Sequence, residues 1–363
     1  MPKFIWDVIL EDKLTTCRLA LRREAAISTL YRAKAPLRIS FAGGGTDVSP
    51  YLEEHGGCVL SCTIDKYCFA TIMPAAHDIE VRSLDYDFFE VYEPDQKLSY
   101  DGKLDLVKGV LNVLKIRKGM EIFLHSDVPV GSGLGASSTM TVALLGAAHA
   151  LKRSTVTEYE LAEIAYHIER EEVGIKGGKQ DLYAATFGGF NYIEFYGDKT
   201  VVNPLRVPSD ILNELQYRLI LCYTGKRRLS AGIVEDQVKR YQAGNAETIA
   251  GLNATKQLAI DMKNTLLLGK INELGELLEA GWVAKQKFSS KMTDPDIDEL
   301  YSVAKKNGAI GGKLLGAGGG GYFLLLCEHD KWHKVTEALL RMNRKKVDFA
   351  FEFSGLQTWR THV

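Results

Sequence analysis

The sequence predicts a fold of the α+β class, and three observations carry that expectation. From Ala35 onward, short runs of β-branched and aromatic residues are cut by glycine and proline, as in APLRISFAGGGTDVSPYLEEHGGCVLSCTIDKYCFATIMP, which is strand and turn texture. The run Met140 to Leu151 and the proline-poor stretch from about Ser230 to Lys306 read instead as helices. Strands and helices mix without a regular βαβ alternation, which argues against a doubly wound sheet.

The elements follow in order. Residues 1–33 carry Arg18, Arg22, Arg23 and Arg32 among acidic residues with no strong strand pattern, and are expected to form an N-terminal extension, helical if ordered. Strands and turns follow to Pro74, with paired short strands over Ile79 to Tyr92 and a helix over Leu104 to Val113. Met120 to His125 is a strand leading into SDVPVGSGLGASSTMTVALLGAAHAL, a turn that opens a long apolar helix. Thr157 and Glu160 have the spacing of a capping box, so the next helix is expected over Val156 to Glu172. After a strand at Gly189 to Phe195, Val201 to Pro208 reads as a linker, dividing the chain into residues 34–203 and 204–363. The second unit is expected to hold strands at Tyr217 to Tyr223, Gly321 to Cys327 and Val347 to Phe353, with a helix from Lys331 to Met342.

Composition narrows the function. With 363 residues, 46% hydrophobic and 25% charged, the chain is neither disordered, nor collagen-like, nor a small disulfide scaffold. Lys plus Arg number 45 against 46 Asp plus Glu, so nothing biases the whole chain toward nucleic acid or an anionic membrane. Any polyanion site must be local. Six cysteines with no CxxC pair read as reduced thiols, and no apolar start suggests secretion, so a cytoplasmic location is expected.

Glycine, at 34 residues, is the informative deviation. Gly131 to Ala136 and Gly316 to Gly321 each match the loose dinucleotide fingerprint, but neither is followed by the required helix, strand and acidic residue. Gly178-Lys179 and Gly312-Lys313 lack the glycine and hydroxyl residue of a Walker A loop. His329-Asp330-x2-His333 imitates a zinc pair, yet carries aspartate where that chemistry uses glutamate.

What remains is the physics of the first loop. Gly131, Ser132, Gly133, Leu134, Gly135 and Ala136 can turn a row of N–H groups toward an anion at a helix N-terminus, where the dipole adds positive charge. The hydroxyls of Ser137 and Ser138 would face a magnesium ion carried by phosphate. A plain capped helix behind a glycine turn is the alternative. Glu169 and Asp181, separated by a glycine loop, can converge as one carboxylate for metal and one for a substrate hydroxyl. Arg38 precedes the loop Gly43-Gly44-Gly45-Thr46-Asp47, in which Asp47 can accept from sugar hydroxyls. Lys226, Arg227 and Arg228 follow a strand and are candidates to bind phosphate.

Together these segments resemble the GHMP kinase superfamily, whose members include galactokinase, homoserine, mevalonate and phosphomevalonate kinases. Three motifs occur in order: Ala35-Pro36-Leu37-Arg38 continuing to Gly45-Thr46-Asp47, Pro129 to Ser138, and Lys313 to Gly321. Ala136 stands where the family has the first serine of a pair, so ungapped alignment puts the magnesium serine on Ser137, with Ser138 as the fallback. The resemblance implies ATP and Mg²⁺ as cofactors, Glu169 as the magnesium carboxylate, Asp181 as the catalytic aspartate and Arg38 beside it. It also implies an S5-like N-terminal domain and a ferredoxin-like C-terminal domain with the site between them. TIDKY and GGKQDLYAATFGGFNYIEF resemble most closely the D-glycero-D-manno-heptose 7-phosphate 1-kinases, with fucose kinases more distant. On that footing Gly44, Gly45, Thr46, Asp47, Gly318 and Gly319 are expected to bind the sugar, and Lys176, Lys179, Arg227 and Arg228 its phosphate.

Overall fold

The computed structural model describes residues 29–84, 88–94, 96–129, 131–226 and 231–362. In chain order the first half runs β1 (Thr29–Ala42), α1 (Tyr51–His55), β2 (Gly57–Pro74), β3 (Ile79–Ser83), β4 (Phe88–Tyr92), α2 (Asp105–Val113), β5 (Met120–Ser126), α3 (Ala136–Lys152), α4 (Glu158–His167), α5 (Gln180–Phe187), β6 (Phe190–Tyr196) and β7 (Lys199–Pro204). The second half runs α6 (Ser209–Arg218), β8 (Leu219–Tyr223), α7 (Ala231–Gln242), α8 (Ala246–Leu267), α9 (Ile271–Gln286), α10 (Pro295–Lys306), β9 (Ala309–Leu314), β10 (Tyr322–Cys327), α11 (Trp332–Arg341), β11 (Lys346–Val347), β12 (Phe351–Glu352) and β13 (Gln357–His362). The α+β expectation holds.

Among the described residues, one large sheet is ordered β13-β1-β2-β5-β3-β4, with β6 and β12 also pairing with β2, and β7 with β6. Its pairs are antiparallel except β3 with β5. Along β1, Ala33, Ala35, Leu37, Ile39 and Phe41 alternate into the core at the period of an extended chain. Toward its C-terminal end β1 is buried continuously, because α3 and α5 pack against it. The predicted apolar helix is α3, and it is buried rather than membrane-spanning; among the described residues no helix is long and apolar enough to cross a membrane. A second sheet, β11-β8-β10-β9, packs with α9, α10 and α11 around Ile220, Trp282, Phe323, Leu325 and Val335.

The capping box at Thr157 and Glu160 forms as read, and α4 continues through a π-helical turn, Ile168–Glu172, that carries Glu169. Three expectations need correction. Strand β1 begins at Thr29, inside the supposed extension; the remainder of residues 1–33, residues 1–28, lies outside the described residues. The supposed linker is partly β7, an edge strand whose Val201 and Val202 pair with Glu194 and Ile193; its prolines misled because an edge strand tolerates them. The final strands do not stay with the second sheet. Instead β12 pairs with β2, and β13 pairs with β1 from Thr29↔His362 to Lys34↔Gln357, supplying partners to backbone groups of β1.

Candidate active site

Four loops from distant parts of the chain meet around one cavity of about 380 Å³. Gly43 to Asp47 follows β1, Gly131 to Gly135 joins β5 to α3, Gly174 to Gly178 precedes α5, and Gly316 to Gly321 joins β9 to β10. Their glycines answer close approaches. Gly133 has φ +83° and a Cβ there would fall 2.7 Å from the carbonyl oxygen of Leu315, while one on Gly316 would fall 2.5 Å from the Cα of Gly133. The loops Gly131 to Gly135 and Gly316 to Gly321 therefore touch backbone to backbone, and the N–H of Tyr322 donates to the Ser132 carbonyl at 2.9 Å.

Arg38 and Asp181 meet in this cavity. Arg38 is buried on β1 and donates from Nε to Asp181 Oδ1 at 2.7 Å and from Nη1 to the Gly133 carbonyl at 2.7 Å; its Nη2 lies 2.6 Å from the same Oδ1. Both residues line the cavity. Asp47 is buried beside them, its Oδ1 accepting from the N–H of Gly45 at 3.0 Å and its Oδ2 from that of Gln180 at 2.9 Å. Burial pushes its carboxyl up, the N–H of Gln180 pulls it down, and the negative charge of Asp181 pushes it up again. A Cβ on Gly178 would lie 2.0 Å from Asp47 Oδ2, so only glycine lets the two loops close.

Glu169 is buried at the cavity wall, with Ser138 donating to Oε2 and Thr141 to Oε1, each at 2.8 Å, and Arg170 Nη1 lying 3.1 Å from Oε2. Burial raises its carboxyl above the ordinary range; Arg170 and the two hydroxyls oppose the rise. The two serines of this loop are placed differently. Ser137 lines the cavity but is exposed, and the hydroxyl that meets Glu169 belongs to Ser138. Positions three and four before Thr141 both share its face of α3, and of these two it is Ser138 whose hydroxyl reaches Glu169.

Other predicted residues divide by position. Gly44, Gly45, Gly131, Gly135, Ala136, Lys176 and Gly318 line the cavity. Ser132 and Leu134 are buried behind the loop, where the Leu134 carbonyl accepts from the Arg38 N–H at 3.2 Å. Thr46 is also buried, donating to the Gly43 carbonyl at 2.8 Å and accepting from the Cys58 N–H at 3.1 Å, so it braces the turn. Gly319 donates its N–H to the Met292 carbonyl at 2.9 Å. Lys179 turns away from the cavity: its ammonium lies 3.3 Å from Glu163 Oε1 and 4.6 Å from the ring centroid of Tyr166. Arg227 and Arg228 lie outside the described residues.

Sequence reasoning missed cavity residues from the second half of the chain. Gln237 donates to the Gly45 carbonyl at 3.0 Å, and Phe288 and Met292 complete that wall. Lys285 lines the cavity from α9. None belongs to a motif, and on a helix of mixed polarity a lysine reads as a solvated residue.

The donor set suits one hard divalent cation. Among the described residues no group of three His, Cys, Asp or Glu side chains could hold a metal by itself. Glu169 with the Ser138 hydroxyl is instead a partial oxygen site at a glycine-rich helix N-terminus, the kind Mg²⁺ uses when substrate phosphates and water complete its shell.

Comparison with known proteins agrees with this arrangement. Residues 105–189 match the GHMP kinases N terminal domain, and residues 262–345 match the GHMP kinases C terminal domain. A D-glycero-alpha-D-manno-heptose 7-phosphate kinase of Campylobacter jejuni is 38% identical over 336 residues, covering 91% of this chain and 98% of that protein. The Pyrococcus furiosus galactokinase is 25% identical over 85% of this chain and 92% of its own length. Among solved structures, a D-glycero-D-manno-heptose 1-phosphate kinase from Bacteriodes thetaiotaomicron superposes with a TM-score of 0.76 at 35% identity, covering 91% of this chain and 98% of that one. Lactococcus lactis galactokinase complexed with galactose shares the fold at a TM-score of 0.70 and 20% identity. Four glycine-bearing loops closing on an arginine–aspartate pair, two matching domains and a relative of nearly equal length lead to one conclusion: the chain belongs to the GHMP kinase family of ATP-using sugar and metabolite kinases.

Proposed function

We propose that this protein transfers the terminal phosphoryl group of ATP to the anomeric hydroxyl of D-glycero-D-manno-heptose 7-phosphate, giving the 1,7-bisphosphate for nucleotide-activated heptose synthesis. The observation that carries the reading is the Arg38–Asp181 pair inside the cavity, in a chain 38% identical to a heptose 7-phosphate kinase. Asp181 accepts the hydrogen bond of the C1 hydroxyl and takes up its proton as the oxygen attacks phosphorus. Arg38 holds that carboxylate in place while its positive charge offsets charge developing on the transferring group. Asp47, already fixed by two backbone donors, accepts from sugar hydroxyls, and the N–H groups of Gly131 to Ala136 cradle the nucleotide phosphates.

Glu169 and Ser138 would hold Mg²⁺, which when bound neutralises phosphate charge. The 7-phosphate is assigned to Lys176 at the cavity edge, with Arg227 and Arg228 as further candidates. A cytoplasmic location is part of the same proposal.

A panel of sugars with MgATP, scored for ADP release, tests the proposal. Turnover on the heptose 7-phosphate well above that on free heptose, fucose and hexoses is the expected result. Equal efficiency on an unphosphorylated sugar overturns the heptose 7-phosphate assignment, and NMR of the product decides whether C1 is the acceptor.

A further inference from the structure

Two lysines lie buried, one at the cavity wall and one behind it, with no carboxylate among the described residues to balance them. Lys285, on α9, is 6% exposed, lines the cavity, and donates to the carbonyls of Leu314 at 3.1 Å and of Gly316. Lys313, on β9, is 5% exposed and donates to the Phe41 carbonyl at 3.0 Å. Among the described residues neither has a carboxylate within ion-pair distance, and the remaining ammonium protons of both have no acceptor. The charged groups that face Lys285 are cations, Lys313 from β9 and Arg38 from β1, and the charge of Arg38 is already engaged by Asp181.

Such an arrangement is costly in isolation, since a buried ammonium without a counter-ion loses its hydration and gains only carbonyl dipoles. Burial, and then the neighbouring cations, push the amine of Lys285 well below its ordinary range, and burial with Arg38 pushes Lys313 down to about 7. The cost is unbalanced only while the cavity holds no anion. The carbonyls that seat Lys285 belong to the end of β9 and to the first glycine of the loop after it, Gly316, which rests on Gly133 of the loop that opens α3. The ammonium thus stands where the loops Gly131 to Gly135 and Gly316 to Gly321 meet.

We propose that Lys285 is a phosphate-contacting residue of this site, its ammonium, backed by the charge of Lys313, balancing the terminal phosphoryl group of the bound nucleotide. The proposal rests on the reading of the cavity as an ATP site. The competing role is a purely structural tether between α9 and the loop Gly316 to Gly321.

Calorimetric titration of the full-length chain with MgATP and with MgADP, in the absence of sugar, separates the two. Lys285→Gln is expected to weaken MgATP binding about tenfold or more and MgADP binding less than threefold, with Lys285→Arg recovering part of the loss. Equal weakening of both nucleotides, or of neither, overturns the proposal. Wild-type protein supplies a measurement that needs no variant. An amine depressed by unpaired burial regains its proton when an anion arrives, so MgATP binding at pH 8 should take up more protons than MgADP binding, read from binding enthalpies in two buffers of different ionisation heat. No difference in uptake overturns the proposal. A nucleotide split without turnover on the heptose sinks only the heptose reading; turnover without the split sinks only the role of Lys285.

Discussion

Arg38 grips a single oxygen of Asp181. Its Nε at 2.7 Å and Nη2 at 2.6 Å both address Oδ1, and among the described residues nothing donates to Oδ2. The carboxylate is thereby oriented while keeping one oxygen for a substrate. Arg38 is almost fully buried, whereas the Asp181 side chain is 23% exposed, so the arginine is the fixed partner and the aspartate the one that meets the cavity.

Asp181→Asn should therefore keep ATP and sugar binding and lose turnover by about 10² to 10⁴, the range for a positioned general base. Isothermal binding beside steady-state rates checks this. Turnover within a few-fold of wild type would remove Asp181 from the role given to it. Arg38→Lys should not rescue geometry, because a single ammonium cannot reproduce the planar guanidinium that contacts both Asp181 and the Gly133 carbonyl.

The two adjacent serines should behave differently. Ser138→Ala removes the hydroxyl bonded to Glu169 and should raise the Mg²⁺ concentration needed for half-maximal rate several-fold. Ser137→Ala, on the exposed side, should shift it less. A magnesium titration in which the order is reversed would return the metal role to Ser137.

Glu169→Gln separates function from stability. Burial raises the folded-state carboxyl above its usual 4.5, so the stability this group contributes is fully present below that pH and is lost as pH rises through the folded value. Above that folded value the apo protein carries a buried charge at a cost. Gln removes that charge, and Arg170 retains the carbonyls of Ile175 and Gly178. The expected result is an apo Tm at pH 7.5 equal to or above wild type, a smaller difference near pH 5, and a raised magnesium requirement. A fall in Tm at pH 7.5 comparable to loss of a core side chain would show that the carboxylate is net stabilising.

Lys176 and Lys179 should part company although only two residues lie between them. Lys176→Ala, at the cavity edge, is expected to lower kcat/KM for the heptose 7-phosphate about tenfold with little change in KM for ATP, because a remote phosphate contact is used to position the reacting carbon. Lys179→Ala removes a contact to Glu163 and Tyr166, and should leave kcat/KM per folded enzyme within about threefold while lowering thermal stability. A specificity loss confined to Lys179→Ala would contradict these placements.

Much of this was legible in the linear chain, and the reason is local. The capping box at Thr157, the apolar period of α3 and the glycines of the first loop each act through neighbours in sequence, so residue type and spacing suffice to read them. The family resemblance likewise implied that Arg38 stands beside Asp181 and that Glu169 serves the same site. What the tertiary structure decided was direction and closure. Whether Ser137 or Ser138 meets Glu169 depends on how α3 is rotated against the π-helical turn, and whether Lys176 or Lys179 faces the cavity depends on which side of the loop packs on Tyr166. The return of β13 to β1 depends on open backbone donors and acceptors that only the assembled sheet presents. The burial of Lys285 and of Lys313 was invisible for the same reason: it is a property of the surroundings, set when α9 and β9 close around the glycine loops, and no spacing along the chain encodes it.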